Sequence, residues 1–179
     1  MNVRKPRGIT LIELIFALSI SLFIFELLFY VYMVLFNSWD IGFMQGKSED
    51  EASRALMRVS KETRAAHRNS IAVAPNWLRL TSDQPKVFYL YTPEMDYARF
   101  TAVDYPPTAN LVLKLLTATA LDQTNFGQGM TIVKSLVPPQ GTSGTQFHSH
   151  GSGVELQFVS KFRDTGLTLN TIVYPRSKP

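Results

Sequence analysis

The stretch ITLIELIFALSISLFIFELLFYVYMVLF, residues 9–36, decides how the rest of the chain is read. Its 28 residues carry two charges, Glu13 and Glu26. As a helix rising 1.5 Å per residue it would extend roughly 42 Å, against about 30 Å of bilayer hydrocarbon. It is too long for the apolar core of a signal peptide, roughly 7–15 residues, and no A-x-A-like cleavage site follows it. No proline occurs between Ile9 and Pro75, so a helix here has no proline to break it. A membrane anchor followed by a soluble part is the expectation.

Charge around the run gives an orientation. Arg4, Lys5 and Arg7 precede it, whereas Asp40, Lys47, Glu49, Asp50 and Glu51 follow it. By the positive-inside rule the N-terminus stays cytoplasmic and the soluble part lies outside. The net charge of +4 comes mostly from that tail: removing those three from 18 basic residues leaves 15 against 14 acidic. It is weak support for nucleic-acid binding. The chain has no cysteine, which excludes disulfides, thiolate metal sites and thiol nucleophiles.

Glu13 is the anomaly. A carboxylate at the centre of a membrane helix costs roughly 2.5–3.5 kcal/mol on insertion scales. The surrounding residues, Gly8-Ile9-Thr10-Leu11-Ile12-Glu13-Leu14, resemble the cleavage and methylation motif of the type IV prepilins. A short basic leader, a glycine, T-L-I-E-L and a long apolar helix occur together. The resemblance implies that a prepilin peptidase cuts between Gly8 and Ile9 and that the new Ile9 amine is methylated. The usual residue after the cut is Phe; here it is Ile9. Glu13 then lies four residues, or about 6 Å, along the helix from that amine. A carboxylate in the first turn is favoured by the helix dipole and can pair with the amine of its own chain or a neighbour's. In the family it is taken to meet the neighbour's amine and set the axial stagger. The plainer alternative is a membrane-edge glutamate reaching for headgroups. Glu26, about 26 Å along, suits either an interfacial position or a contact with a basic residue of another subunit.

Beyond the membrane segment, Ser48-Glu49-Asp50-Glu51 has the pattern of a capping box. Gly42 and Gly46 before it suggest a flexible joint, each being costly inside a helix. Ala52, Ala55, Leu56, Val59, Thr63 and Ala66 fall on one helical face of mostly small residues. Arg54, Arg58, Lys61, Arg64 and Arg68 line much of the other side. That stripe suits a solvated face or an acidic surface of a partner; without interleaved aromatics it does not suit stacked nucleic acid. The run SRALMRVSKETRAAHR, residues 53–68, is similar to the helix end of PilW-like minor pilins and J-type minor pseudopilins.

After Asn69 the period becomes two. Candidate strands are residues 77–81, 86–92, 97–103, 111–117, 131–137, 154–162 and 167–174, separated by Pro, Gly, Asp and Asn. Arg163-Asp164-Thr165-Gly166 should turn the last two into a hairpin. Residues 141–153 read as an exposed loop carrying His148 and His150, which lack further ligands for a metal site. Asp122-Gln123-Thr124-Asn125-Phe126-Gly127 reads as a turn; it lacks the alternating oxygens of a calcium loop. No G-x-S-x-G, H-E-x-x-H or phosphate loop occurs, so no catalytic residue, metal or cofactor is expected and the chain is not expected to be an enzyme.

The expected fold is α+β and pilin-like: residues 1–8 a basic leader that is cleaved, 9–36 a transmembrane or filament-core helix, 37–69 its amphipathic continuation, and 70–179 an antiparallel β-rich extracytoplasmic head. The resemblance implies a minor pilin or pseudopilin of a type IV pilus or type II secretion-like filament, in the complex that initiates assembly. Implied partners are the prepilin peptidase, other minor and major pilin-like subunits, an inner-membrane assembly platform, and lipid before assembly, with no nucleic acid. Localisation would be the bacterial inner membrane, then a periplasmic or surface filament. The competing expectations are a single-span anchored binding protein and a subunit of a DNA-uptake pilus.

Overall fold

The structure, a computed structural model, describes residues 10–81, 84–106, 109–140, 143–162 and 165–176. Helix α1 runs from Leu11 to Ala65, 55 residues. The chain divides into two compact units, Met1–Met44 and Gln45–Pro179.

In the first unit α1 carries apolar side chains all round, and none of its most apolar 18-residue window is buried. The two hydroxyls inside the run are satisfied locally. Ser19 Oγ donates to the Ile15 carbonyl at 2.9 Å and Ser21 Oγ to the Ala17 carbonyl at 2.8 Å. Neither brings an unpaired polar group into apolar surroundings, where each would cost on the order of several kcal/mol. Tyr32 stacks on Phe36 and Trp39 on Phe43, with ring centroids 6.1 and 5.7 Å apart, the i, i+4 pairing that steadies a helix surface.

Two expectations about the middle of the helix are corrected. Ser48 is not an N-cap, because α1 continues through it. Nothing in residues 37–47 interrupts the hydrogen-bond ladder, and the polar side chains pair along the helix: Gln45 donates to Glu49 at 3.1 Å, and Arg54 pairs with Asp50. Gly42 and Gly46 lie within α1 and form no break in it; a Cβ at either would meet nothing within 4 Å.

In the second unit the small-residue face is the buried face. Ala52, Ala55, Val59, Thr63 and Ala66 are all buried, as the period predicts, and Thr63 satisfies its hydroxyl on the Val59 carbonyl at 2.8 Å. A 3-10 turn, Arg68–Ser70, leads into eight strands: β1 Ile71–Ala74, β2 Trp77–Leu80, β3 Lys86–Tyr91, β4 Leu111–Leu116, β5 Met130–Leu136, β6 Gln146–His150, β7 Gly153–Phe162 and β8 Thr165–Val173. A short helix, α2 Tyr97–Thr101, lies between β3 and β4. The strands form one antiparallel sheet in the order β1-β2-β3-β4-β5-β7-β6, with β8 on the remaining edge of β7. The sheet curls until β6 reaches the β1–β2 turn, where the Phe147 amide donates to the Pro75 carbonyl at 3.1 Å.

Register explains the two layers. Leu78 pairs with Phe88, Phe88 with Leu115 and Leu90 with Leu113, so these side chains share one face. Ala55, Val59 and Ala66 of α1 belong to the same buried cluster, and the Glu62–Lys86 ion pair at 2.7 Å fixes the helix over that face. The other face presents Trp77, Arg79, Val87, Tyr89 and Tyr91, because Trp77 pairs with Tyr89 and Arg79 with Val87. It is covered by α2 and the turn at residues 122–127. Phe126 lies 5.0 Å from Phe100, 5.8 Å from Tyr89 and 5.7 Å from Tyr97, centroid to centroid. These separations and inclined planes are the preferred aromatic geometry.

Six of the seven expected strands form, and three segments differ. Residues 97–103 make α2, because Asp96 caps it: its Oδ1 accepts the Arg99 amide at 2.9 Å. Residues 146–150, expected within a loop, form β6, with Gln146 and Phe147 buried. One strong apolar residue in that segment hides the period; pairing with β7 supplies the order. Residues 71–74 form β1, unforeseen because the run is short and alanine-rich. The β7–β8 hairpin forms as expected, although Arg163 and Asp164 lie outside the described residues.

Candidate functional site: the helix start and its carboxylate

Gly8 and Ile9, the expected cleavage position, lie outside the described residues. Thr10 and Glu13, next in the chain, form a reciprocal cap. The Thr10 amide and the Thr10 hydroxyl both donate to Glu13 Oε2 at 2.9 Å. The Glu13 amide donates back to Thr10 Oγ1 at 3.4 Å, and the Leu14 amide to the Thr10 carbonyl at 3.2 Å. This is the capping box, with Thr10 as the cap and Glu13 three residues on. The carboxylate therefore has a local role before any partner arrives. Both bonds fall on Oε2, and the opposite oxygen, Oε1, faces no donor among the described residues. The signal that could have found this cap is the T-x-x-E pattern at residues 10–13; of the two such patterns in the helix, this one caps and the one at Ser48 does not.

The apolar surface after this cap is continuous. Leu11, Phe16, Leu22, Phe23, Phe25, Tyr30 and Leu35 are each more than 60% exposed. Burying one such side chain stabilises by about 1.5–3 kcal/mol. Residues 11–44 thus need lipid or other protein as their solvent. By length and composition α1 is able to cross a membrane. Glu26 is exposed on this helix.

On the second unit, Arg54, Arg58, Lys61 and Arg64 are not buried, as a solvated stripe requires; the Arg68 side chain lies outside the described residues. Lys61 and Arg64, with Leu56, Met57, Ser60, Ala65, Thr171 and Arg176, line an open groove of about 630 Å³ between α1 and β8. His148 and His150 stand on β6, and no group of three metal-capable side chains occurs among the described residues. Asp122 closes a turn: its Oδ1 accepts the Thr124 hydroxyl at 2.6 Å and the Thr124 and Asn125 amides at 2.9 and 3.1 Å. Those bonds, the Thr124 hydroxyl first, hold its carboxyl below the ordinary aspartate value.

Compared with known proteins, the chain matches no family model, no curated sequence and no solved structure. An antiparallel β head that follows a long N-terminal apolar helix is compatible with a pilin-like architecture.

Proposed function

We propose that the chain is a type IV pilin-like subunit, a minor pilin or pseudopilin that serves a filament of the type IV pilus or type II secretion kind. A prepilin peptidase cuts after Gly8, and Ile9 becomes a methylated N-terminus. Glu13 keeps its cap on Thr10 and offers its second oxygen to an N-terminal amine, its own or a neighbouring subunit's. The anchor waits in the inner membrane with Arg4, Lys5 and Arg7 on the cytoplasmic side. It then leaves lipid for a bundle of similar helices, drawn by an assembly platform. The β head stays extracytoplasmic and contributes contacts at the tip, where assembly begins. The chain does no chemistry of its own.

One observation carries this reading: 34 residues of α1, 11–44, expose apolar side chains on every side behind a first turn that holds a carboxylate. A plain anchor gains nothing from that carboxylate, whereas a subunit that must register against its neighbours does. The membrane-anchored binding protein remains the competing function. Mass spectrometry of the protein from cells with an active peptidase separates the two. A mass that begins at methylated Ile9 supports the pilin assignment; retention of residues 1–8 overturns it. Glu13→Gln then isolates the charge. Glutamine preserves a capping box, so the variant should be cut normally yet enter filaments poorly. Wild-type incorporation of Glu13→Gln would dismiss the ion pair.

A further inference from the structure

The aromatic face of the head contains a cavity of about 240 Å³, bounded by Trp77, Arg79, Val87, Tyr97, Phe100, Thr101, Ala120 and Leu121. Three elements build it. β2 and β3 supply its floor through the register that puts Trp77 beside Tyr89 and Arg79 beside Val87. α2 supplies one wall with Tyr97 and Phe100, and residues 120–121 the other.

Its polar groups are committed in a one-sided way. The Tyr97 hydroxyl donates to the Leu121 carbonyl at 2.8 Å. The Thr101 hydroxyl donates to the Ala98 carbonyl at 2.8 Å. Arg79 is the charged residue of the lining. Its Nε is buried and meets no acceptor among the described residues. Its guanidinium carbon sits 5.8 Å from the Trp77 ring centroid, close enough for the ring to hold the plane in place. A buried donor left without a partner costs about 1–3 kcal/mol, more when charged. The Nε edge of arginine is half of the planar fork that grips a carboxylate through two parallel bonds.

We propose that this cavity is a binding site for a carboxylate carried on a compact apolar or aromatic body, with Arg79 as the carboxylate anchor and Trp77, Tyr97 and Phe100 as the walls. One guanidinium balances one negative charge. The volume is below the roughly 300–1,000 Å³ of sites for drug-sized molecules, so the occupant is the size of one amino acid. Two sources supply that chemistry: a free small aromatic acid, or the carboxylate-bearing end of another protein. The site does not depend on which assembly the chain enters.

The test uses the full chain in lipid nanodiscs with ¹⁵N-labelled arginine, reading the Arg79 Nε–H resonance. That signal is assigned by its absence in Arg79→Lys. Titration with 3-phenylpropionate should shift the resonance saturably, while 3-phenylpropanol, the same body without the charge, should leave it in place. By competition, Arg79→Lys should bind the acid at least tenfold more weakly, since lysine has no fork. Thr101→Trp, which fills the mouth and leaves Arg79 intact, should bind it no better. A tripeptide ending in phenylalanine, free or amidated at its C-terminus, distinguishes the sources: binding of the free acid alone indicates a metabolite site, and binding of the unamidated peptide a protein terminus. Equal response to acid and alcohol, equal response to inorganic phosphate, or undiminished binding in both variants overturns the proposal.

Discussion

Thr145→Val should weaken the head through one lost hydroxyl. β5 and β7 are joined in register by a single pair, Leu136 with Ser160. Beside it the chain relies on Thr145, which is fully buried. Its hydroxyl accepts the Val159 amide at 3.0 Å and donates to the Val159 carbonyl at 3.1 Å, so a side chain stands in for a strand. The carbonyl has a second donor, the Val137 amide at 2.8 Å; the amide has no other acceptor on that side. Valine keeps the shape and leaves the Val159 N–H buried and unpaired, a cost of about 1–3 kcal/mol. For a unit of this size each kcal/mol moves the melting temperature by roughly 3–5 °C, so the variant should melt about 3–15 °C lower. The assay is near-ultraviolet circular dichroism of the full chain in micelles, with hydrogen exchange at Val159 as the local readout. Thr145→Ser, which keeps the hydroxyl, should keep the protection at Val159. Wild-type melting and exchange in Thr145→Val would refute the account.

Other outcomes depend on single features of the head. Gly144 has φ +86°, and a Cβ there would run into the Pro138 carbonyl oxygen; Gly144→Ala should cost on the order of 2–3 kcal/mol or more, read by the same melt, and an unchanged melt would contradict the close approach. Burial pushes the Tyr105 hydroxyl above its ordinary value of 10.0 and the Tyr89 hydroxyl up to about 12. Their stabilisation is therefore complete below pH 10 and is lost as pH rises through the folded-state values, because the unfolded chain releases these protons first. Tyrosinate absorbance should rise together with loss of the near-ultraviolet signal, and ionisation at pH 10 with the fold intact would oppose this. The depressed carboxyl of Asp122 has the opposite sign: it supports its turn above the ordinary value of 3.8 and withdraws that support as pH falls through the lower folded value. Amide exchange at Thr124 and Asn125 should accelerate in acid, and Asp122→Asn, which still accepts hydrogen bonds, should remove that dependence.

Much of the architecture is legible in the sequence because it rests on strong patterns. A long apolar run leaves few alternatives to a helix, and Ala52, Ala55, Val59 and Thr63 mark its buried face by spacing alone. β3, β4 and β7 are apolar enough to announce themselves. The hidden parts depend on partners remote in sequence. β6 is a strand because β7 lies beside it, and α2 is a helix because Asp96 caps a segment whose tyrosine and phenylalanine also suit a strand. Glu13 stands out as an anomaly, while its bond to Thr10 is masked by the stronger question of what a carboxylate does in a membrane. Arg79 gives no local signal. Its cavity exists only once register brings Trp77 and Val87 under α2 and Leu121.

The thin join between β5 and β7 bears on how the head comes to exist. Strands β1–β5 occupy one continuous stretch of chain, residues 71–136, and β6–β8 another, residues 146–173. Within each stretch neighbouring strands are close in sequence, so the entropy of closing their loops is small. Joining the two requires Thr145, Leu136 and the Phe147–Pro75 contact to meet at once, over longer separations. Local contacts form fastest. Each leaf therefore assembles first and the seam closes last, which makes the seam the latest amide protection to arrive in refolding and the first to go in native opening.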